Sequence, residues 1–382
     1  MRETTATLEA PEAPRKTLLQ EFWTDFRKNR LSVLGLVIFA VFTVVALSGL
    51  FLTSGKDPAL DPALIRLQEK LRAPLSEPNR DVLPPDQAPA LGMYLFGTDD
   101  LGRDVFSRML QGAWVSLTVG FVAVGISVLV GIFLGGIAGF FGQSRIRLDH
   151  ILVIGLLGAA AVFLWTGETT PGGVFALAAA GYVVFLAERA RRDRPFPGLL
   201  RPLRTETLSV DTLIMRLVDI MLCFPSFFLI LTVVALLPAS IYNIMIVIGL
   251  TSWMGTARFV RAEFLSLREQ DFVTAAKALG VRNFRIIFRH MIPNAIAPVL
   301  VSATIGIATA ILTEAGLSFL GFGVPPPHAT WGNILSDGKG YIFDAPWLTF
   351  IPGIAILVVV LSFNLFGEGL RDSLNPKLKE RQ

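Results

Sequence analysis

The chain alternates between long uncharged apolar stretches and shorter stretches that carry most of the charged residues. A helix needs about 20 apolar residues to cross the hydrocarbon core of a bilayer, so each long stretch is a candidate span. Lipid offers no partners to backbone N–H and C=O groups, so each span has to be helical. The pattern predicts eight spans, at residues 31–54, 113–143, 151–167, 169–187, 220–238, 241–257, 295–313 and 345–367.

The predicted fold class is therefore an all-α membrane protein, a polytopic helical bundle. Composition agrees, because 53% of the 382 residues are hydrophobic, only 17% are charged and the mean hydropathy is +0.60. Soluble domains carry about 25% charged residues. Eight buried helices of a soluble protein are the alternative, which the number of long apolar runs disfavours. A disordered chain and an ordinary soluble enzyme are excluded.

Lysine and arginine predict the orientation, because these residues accumulate in cytoplasmic loops. With residues 1–30 inside, alternation places 26 of the 34 basic residues in cytoplasmic segments. Both termini are then cytoplasmic and the number of spans is even. No cleavable signal is expected, since the charged stretch before residue 31 is too long. The basic residues flank spans, so they indicate membrane lipid rather than nucleic acid as their partner.

The pattern divides the chain into residues 1–30, a cytoplasmic segment, 31–54, the first span, 55–112, an outer loop, and 113–382, the transmembrane domain. One helical face of residues 17–30 is apolar and carries Leu18, Leu19, Phe22, Trp23 and Phe26. This face predicts an amphipathic helix in the headgroup plane. A continuous extension of the first span is the alternative.

The inside loop, residues 258–294, is too long for a turn and too apolar for a solvated linker. One face of a short helix in it would carry Phe272, Ala275, Ala276 and Leu279, and Gly280 would end that helix. A second amphipathic piece, 284–291, is expected to break at Pro293 and Asn294 before the next span. Such a unit predicts a rigid docking element, and a pair of surface helices without a partner is the alternative.

This loop resembles the EAA loop of permease subunits of bacterial ABC importers. The residues that carry the resemblance are Thr274, Ala275, Ala276, Gly280, Ile292 and Pro293. Thr274 stands where the name of the motif has glutamate, so no argument can rest on a carboxylate there. The resemblance implies that this segment forms a coupling helix seated in a cleft of an ATPase.

Residues 95–108, LFGTDDLGRDVFSR, are similar to the segment before the second span in C-type permeases of dipeptide and oligopeptide importers. The motif residues are Gly97, Thr98, Asp99, Gly102, Arg103 and Asp104. Residues 211–225, 314–335 and 345–378 resemble the same family in the same order. Together the similar stretches cover 17–53, 92–143 and 210–380, which is most of the chain.

The resemblance implies one permease subunit of an ATP-driven importer that works by alternating access. It implies a second permease subunit, two ATPase subunits and an extracytoplasmic solute-binding protein in a bacterial inner membrane. ATP and magnesium would bind to the ATPases, and no cofactor is expected on this chain. Dipeptides or oligopeptides are the implied substrates, with nickel or another small solute as the alternative.

Residues 144–209 form a block of 66 positions that the resemblance does not cover. The block holds two of the eight predicted spans, 151–167 and 169–187, so the expectation is six family spans plus an inserted hairpin. An even number of added spans preserves the orientation of everything downstream. A re-entrant or interfacial hairpin is the alternative.

The sequence has no Gly-x4-Gly-Lys-[Ser/Thr] loop, one cysteine and three scattered histidines, so neither ATP hydrolysis nor a metal site is expected on this chain. Missing catalytic constellations also disfavour a membrane enzyme. An ion-coupled secondary transporter is the other alternative, and it would need several carboxylates near the midplane.

Single positions within the spans suggest contacts. Glu314 is a candidate that either faces an aqueous path or sits at a packed helix interface. Asp219 is expected to pair with Arg216 on its own helix. The glycines Gly131, Gly135 and Gly139 recur every four residues and predict close approach of another helix.

Overall fold

The computed structural model describes residues 17–55, 57–84, 87–142, 145–146, 155–160, 169–191 and 208–374. These residues are helical apart from loops, one pair of two-residue strands and two isolated bridges. The helices are α1 (Leu18–Lys28), α2 (Arg30–Thr53), α3 (Val105–Phe141), α4 (155–160), α5 (Thr169–Arg191), α6 (Val210–Leu222), α7 (Ser226–Leu236), α8 (Ile241–Thr251), α9 (Trp253–Arg268), α10 (Asp271–Ala278), α11 (Asn283–Arg285), α12 (Ile292–Phe319), α13 (Trp331–Gly338) and α14 (Trp347–Leu374).

Short 3-10 turns at Leu67–Glu69 and Lys339–Tyr341 and a π-helical segment at Ile286–Met291 complete the secondary structure of the described part. The chain divides into two compact units. The first unit contains the residues up to Val128, Ser226–Trp253 and the residues from Ile296 onward. The second unit contains Leu129–Pro225 and Met254–Ala295.

Among the described residues, five helical stretches are long and apolar enough to cross a membrane. They are Arg30–Thr53, Val105–Phe141, Ile241–Arg268, Asn283–Phe319 and Trp347–Leu374. Helices α6 and α7 form a sixth candidate if they count as one broken span. Eight spans are thus not confirmed. Most of the predicted span 151–167 lies outside the described residues, and the apolar part of α5, Gly173–Phe185, is shorter than a full crossing.

The predicted span 220–238 is not straight. Helix α6 ends at Leu222, α7 begins at Ser226, and their axes differ by 82°. Pro225 lies in the break, where its missing N–H and its effect on the preceding residue disfavour a continued helix.

The expected break at Pro293 is wrong, because the helix continues from Asn283 through to Phe319. The π-helical segment just before it shifts the bonding pattern by one residue, so the Ile292 N–H donates to the Ile287 carbonyl. Pro293 follows this segment closely, and a local π-helical adjustment of this kind lets a helix continue past a residue without an N–H.

The amphipathic segment at the N-terminus is a separate helix, and the alternative of a continuous extension is wrong. Thr17 caps α1 in a reciprocal box with Gln20, and Asn29 ends it and caps α2 through the N–H groups of Leu31 and Ser32. On its apolar face Phe26 is buried, with its ring 6.0 Å from that of Phe366. Its position in the headgroup plane stays a prediction.

In the first unit, α2 packs along α14 at close range. A Cβ atom added at Gly35 would lie 2.8 Å from Leu365 Cβ, and the rings of Phe39 and Phe363 are 5.1 Å apart. The same unit places α8 against α3, where an added Cβ at Gly249 would lie 2.7 Å from Ile126 Cβ.

In the second unit, the glycine stripe of α3 faces α9, as its spacing predicts. An added Cβ at Gly135 would lie 2.4 Å from the Ala257 carbonyl oxygen, and one at Gly139 would lie 2.5 Å from Phe264 Cβ. Only a hydrogen at these positions allows the two backbones to approach this closely. The stripe therefore fixes the distance between α3 and α9.

The two ends of the inserted block meet. Strand β1 (Arg145–Ile146) pairs in antiparallel register with β2 (Leu208–Ser209), with Ile146 opposite Leu208. Helix α6 begins at the next residue, Val210, with the Ser209 side chain as its cap. Residues 144, 147–154, 161–168 and 192–207 of the block lie outside the described part.

We expect Gly139→Ala to destabilise the protein, because the new methyl group would overlap Phe264 and the Arg261 carbonyl. Overpacking of this kind costs about 1–3 kcal/mol. Thermal unfolding in detergent measures the effect. Gly125→Ala on the same helix is the control, since an added Cβ there meets nothing within 4 Å. Equal midpoints for the two variants would contradict the assigned packing.

Candidate functional site

The segment between α9 and α12, residues 269–291, is called the α9–α12 loop below. It contains a glycine that ends α10, which is called the glycine stop below. Gly280 has φ +71°, a conformation that side chains with a Cβ avoid. The Gly280 N–H donates to the Lys277 carbonyl at 3.0 Å and the Val281 N–H to the Ala276 carbonyl at 3.1 Å. These two bonds form a Schellman motif and end α10 as the sequence predicts.

The faces of α10 differ from the predicted assignment. Val273 and Ala276 are buried, whereas Phe272, Ala275 and Leu279 are exposed. The side chain of Leu279 is 83% exposed, which is unusual for a leucine in a loop with a packed interior. Helix α10 thus rests on one apolar stripe and presents a second one outward.

The exposed surface continues over the following turn. The rings of Phe284 and Phe288 are in contact, with centroids 4.3 Å apart and planes tilted by 31°, and both side chains are exposed. Exposed arginines surround them, namely Arg282, Arg285 and Arg289. Ile286 and Met291 are fully buried and hold this turn to the protein. An apolar patch rimmed by polar residues is typical of a protein interaction site.

The other motif positions of this loop have different surroundings. Thr274 is exposed, and its hydroxyl donates to the Asp271 carbonyl at 3.0 Å within α10. Ile292 is partly buried and Pro293 is exposed at the start of α12. Of the six predicted coupling residues, Ala276 is the one that is buried.

Two ion pairs join α9 to α6. Arg261 forms a bidentate ion pair with Asp211, and Arg258 Nη2 lies 2.6 Å from Asp219 Oδ1. The expected pair of Asp219 with Arg216 is present, as a longer contact. Arg216, on the same helix, is 3.9 Å away, and the stronger contact is made across helices.

The outer-loop motif lies in the segment between α2 and α3, residues 54–104, called the first loop below. Gly97 and Gly102 both adopt positive φ, +78° and +73°. A Cβ at Gly102 would lie 1.8 Å from the Arg66 carbonyl oxygen, so no other residue fits there. Thr98 joins distant parts of the loop, because its hydroxyl donates to the Glu69 carbonyl and accepts from the Arg72 N–H.

A charge network lies at the end of the first loop. Asp99 is fully buried and accepts from Arg103 Nε at 2.7 Å and from Arg108 Nη1. Both arginines also reach Asp337 Oδ2, at 3.0 and 2.9 Å. Asn333 accepts a longer bond from Arg108. The network ties the first loop and α3 to α13.

This network explains where α3 begins. The predicted span starts at residue 113 because Arg108 reads as a polar residue outside the membrane. Arg108 is only 3% exposed, and its carboxylate partners make its burial possible. Asp104 caps the helix by accepting from the Ser107 N–H and hydroxyl, so α3 starts at Val105.

An open pocket of about 440 Å³ lies beside the network, lined by Asp100, Arg103, Asp337, His328 and the 325–327 prolines, among others. Burial raises the pKa of the Asp100 carboxyl, and the nearby carboxylates of Asp99 and Asp337 raise it further. Both arginines at the pocket are already paired with carboxylates, so they are not free to bind an anion.

Glu314 is fully buried near the C-terminal end of α12. Its carboxyl oxygens accept from the Ser318 hydroxyl at 2.6 Å and from the Ser116 hydroxyl at 3.3 Å. The Thr330 hydroxyl donates in turn to Ser318 Oγ at 3.3 Å. This arrangement favours the packed-interface interpretation of Glu314 over exposure to an aqueous path.

Sequence reasoning missed Asp337, Asn333 and the pairing of Asp211 and Asp219 with α9. The charges within apolar helices were the available signal, because ionisable groups in spans need partners. Which partner each one meets depends on contacts between residues 39–234 positions apart.

Family models match two parts of the chain. Residues 207–380 match the family model of the binding-protein-dependent transport system inner membrane component, and residues 17–69 match that of the N-terminal transmembrane domain of oligopeptide transport permease C. The dipeptide transport system permease protein of Alkalihalophilus pseudofirmus is 35% identical over 360 residues, covering 94% of this chain and 90% of the relative.

Two further relatives are similar over comparable lengths. The dipeptide transport system permease protein of Haemophilus influenzae is 33% identical and covers 96% of this chain and 97% of its own length. The oligopeptide transport system permease protein of Bacillus subtilis is 30% identical, with 97% and 94% covered.

The chain therefore belongs to the family of multi-pass membrane permeases of binding-protein-dependent ABC transporters. Within that family, its similarity is to the dipeptide and oligopeptide permeases of the C type. Residues 70–206 lie between the two family-model matches, and the second match begins next to the predicted end of the inserted block.

We expect Asp99→Asn to loosen the first loop, because it leaves the buried guanidinium of Arg108 with a weaker set of partners. Removal of one member of a buried ion pair costs about 3–5 kcal/mol. Faster protease cleavage within residues 54–104 and a lower unfolding midpoint in detergent report the loss. The exposed Asp81→Asn in the same loop is the control. An Asp99→Asn protein as resistant as that control would refute the structural role of the network.

Proposed function

We propose that this chain is one permease subunit of an importer for dipeptides or oligopeptides, driven by ATP hydrolysis on two separate ATPase subunits. A second permease subunit completes the path, and an extracytoplasmic binding protein delivers the substrate. The similarity to dipeptide and oligopeptide permeases over more than nine-tenths of the chain supports this substrate class. Both termini lie in the cytoplasm of a cell with this protein in its inner membrane.

The observation that carries the proposal is the exposed apolar surface of the α9–α12 loop. Phe272 and Leu279 on α10 point away from the buried residues Val273 and Ala276. The chain itself leaves this stripe uncovered, whereas the opposite stripe is packed. The positions that resemble the coupling motif lie on or beside it, so we assign the ATPase contact to this surface.

In this proposal, displacement of α10 is transmitted to the helices on either side of it, α9 and α12. Helix α10 is separated from α9 by two residues, and the following turn continues into α12 without a break. When the ATPases close on ATP, displacement of α10 moves both helices and alternates the accessibility of the path. The glycine stop keeps the short helix in a fixed direction, which a lever requires.

The experiment is reconstitution of the complete transporter in proteoliposomes, with uptake of a labelled dipeptide measured with and without ATP. We expect uptake that depends on ATP, on the binding protein and on both ATPases. Uptake that persists without ATP and follows a proton gradient would favour the ion-coupled transporter instead. Competition by nickel salt but not by dipeptides would favour the small-solute alternative.

Leu279→Asp is expected to release the ATPases from the detergent-solubilised complex. Loss of a central apolar contact in an interface costs about 2 kcal/mol or more, which is roughly thirtyfold in affinity. Co-purification of the ATPases measures this. The side chain is exposed, so the fold is expected to be unaffected. Leu91→Asp, at an exposed site in the first loop, is the matched control. Full retention of the ATPases by Leu279→Asp would contradict the assigned surface.

A second variant tests the glycine stop. Gly280→Val forces a β-branched side chain into positive φ, at a cost of about 1–2 kcal/mol. We expect α10 to change direction and the ATPases to bind more weakly, measured by the same co-purification. Gly255→Ala, on α9 with nothing within 4 Å of an added Cβ, is the control. Unchanged ATPase binding would show that the direction of α10 is unimportant.

A further inference from the structure

The second unit contains two contacts between charged groups that belong to different helices. Asp211 lies in the first turn of α6 and accepts both Nε and Nη2 of Arg261. Asp219 lies two turns later on α6 and pairs with Arg258 at 2.6 Å. Arg258 and Arg261 are one turn apart on α9, so both pairs join the same two helices.

Two separated pairs constrain α6 more than one would. Eight residues of an α-helix span about 12 Å, so the two aspartates hold α6 at well-separated points. A single pair would leave α6 free to pivot about that contact. The forked geometry of Asp211 and Arg261 adds direction, because a planar guanidinium binds a carboxylate through two parallel bonds.

The other side of α9 is held as well. The α3 glycines bring its backbone against α9, with an added Cβ at Gly139 only 2.9 Å from the Arg261 carbonyl oxygen. Helix α10 is tied to the same group of helices, because Lys277 Nζ lies 5.3 Å from the centre of the Phe140 ring. The end of α3, α6, α9 and α10 are thus joined in one unit.

We propose that Asp211–Arg261 and Asp219–Arg258 are positioning pairs that make α6 move together with α9 and α10. They do not touch substrate or nucleotide. Their role is to transmit displacement of the α9–α12 loop to α6 and to the sharp bend that follows it before α7. This inference rests on the proposed function and adds the path by which force leaves the coupling surface.

The test uses the complete transporter in proteoliposomes and measures dipeptide uptake and ATP hydrolysis in the same sample. The variants are Asp211→Asn, the double variant Asp211→Asn with Asp219→Asn, and the exchange Asp211→Arg with Arg261→Asp. We expect the double variant to keep its ATPases and to lower uptake per ATP at least about fivefold, the lower end of typical coupling between sites. The exchange is expected to recover part of that ratio.

Lys28→Gln is the control. Lys28 pairs at 2.9 Å with Asp25 on the same helix, α1, which belongs to the first unit. Its ratio of uptake to hydrolysis is expected to equal that of the wild type. Asp219→Asn alone is expected to have a smaller effect than Asp211→Asn, because the Asp219 pair is about half exposed and the Asp211 pair is less so.

An unchanged ratio in the double variant would overturn the proposal. A parallel fall of uptake and hydrolysis without recovery in the exchange would also overturn it, since that pattern indicates a role in stability alone. If the aspartate variants do not assemble with the other subunits, Arg261→Lys provides the test. Lysine keeps the positive charge but cannot form the two parallel bonds to the Asp211 carboxylate. A wild-type ratio in that variant would refute the positioning role. Absence of ATP-driven uptake by the wild type would instead refute the proposed function itself.

Discussion

The structure depends on giving buried charged groups polar partners inside an otherwise apolar protein. Removing a guanidinium or carboxylate from water costs several kcal/mol per ion, so ion pairs and hydrogen bonds have to offset that cost. Arg108 is almost fully buried because Asp99 and Asp337 accept from it. The pairs with Asp337 and the two pairs between α6 and α9 join segments far apart in the sequence, so satisfying these charges also fixes which helices are neighbours.

Hydropathy predicts the helices of this fold well where packing does not alter them. The first span, predicted at 31–54, is Arg30–Thr53, and the last, predicted at 345–367, overlaps Trp347–Leu374. The stripe of α3 glycines also has the predicted role, because close approach of helices depends on side-chain size, which the sequence states directly.

The errors arise where a contact outside the local sequence decides the outcome. Arg108 marks the end of a span only if it faces water, and its partners Asp99 and Asp337 remove that condition. A proline ends a helix unless the local hydrogen-bond pattern accommodates it, as the π-helical segment does before Pro293. Asp219 has one basic residue on its own helix, and only the tertiary structure shows that Arg258 is closer.

The candidate site also has features that the local sequence predicts and features that tertiary contacts decide. Gly280 and its left-handed turn are predictable, because few residues other than glycine adopt that conformation. The outward direction of Phe272 and Leu279 could not be predicted, because apolar residues occupy much of the surface of α10 and either stripe could have been buried. Helix α10 contacts the π-helical segment, and Val273 and Ala276 on the first and Ile286 and Met291 on the second are all buried.

The pairing of Ile146 with Leu208 has a consequence for how the chain tolerates variation in length. Opposite residues of an antiparallel pair have their Cα atoms about 5 Å apart, so the intervening polypeptide leaves and returns at almost one point. Such a junction imposes no stretch on the flanking helices, whatever number of residues it encloses. It is a natural grafting position, where a reporter domain or a shorter linker can replace the enclosed segment while the ends of α3 and α6 stay in register.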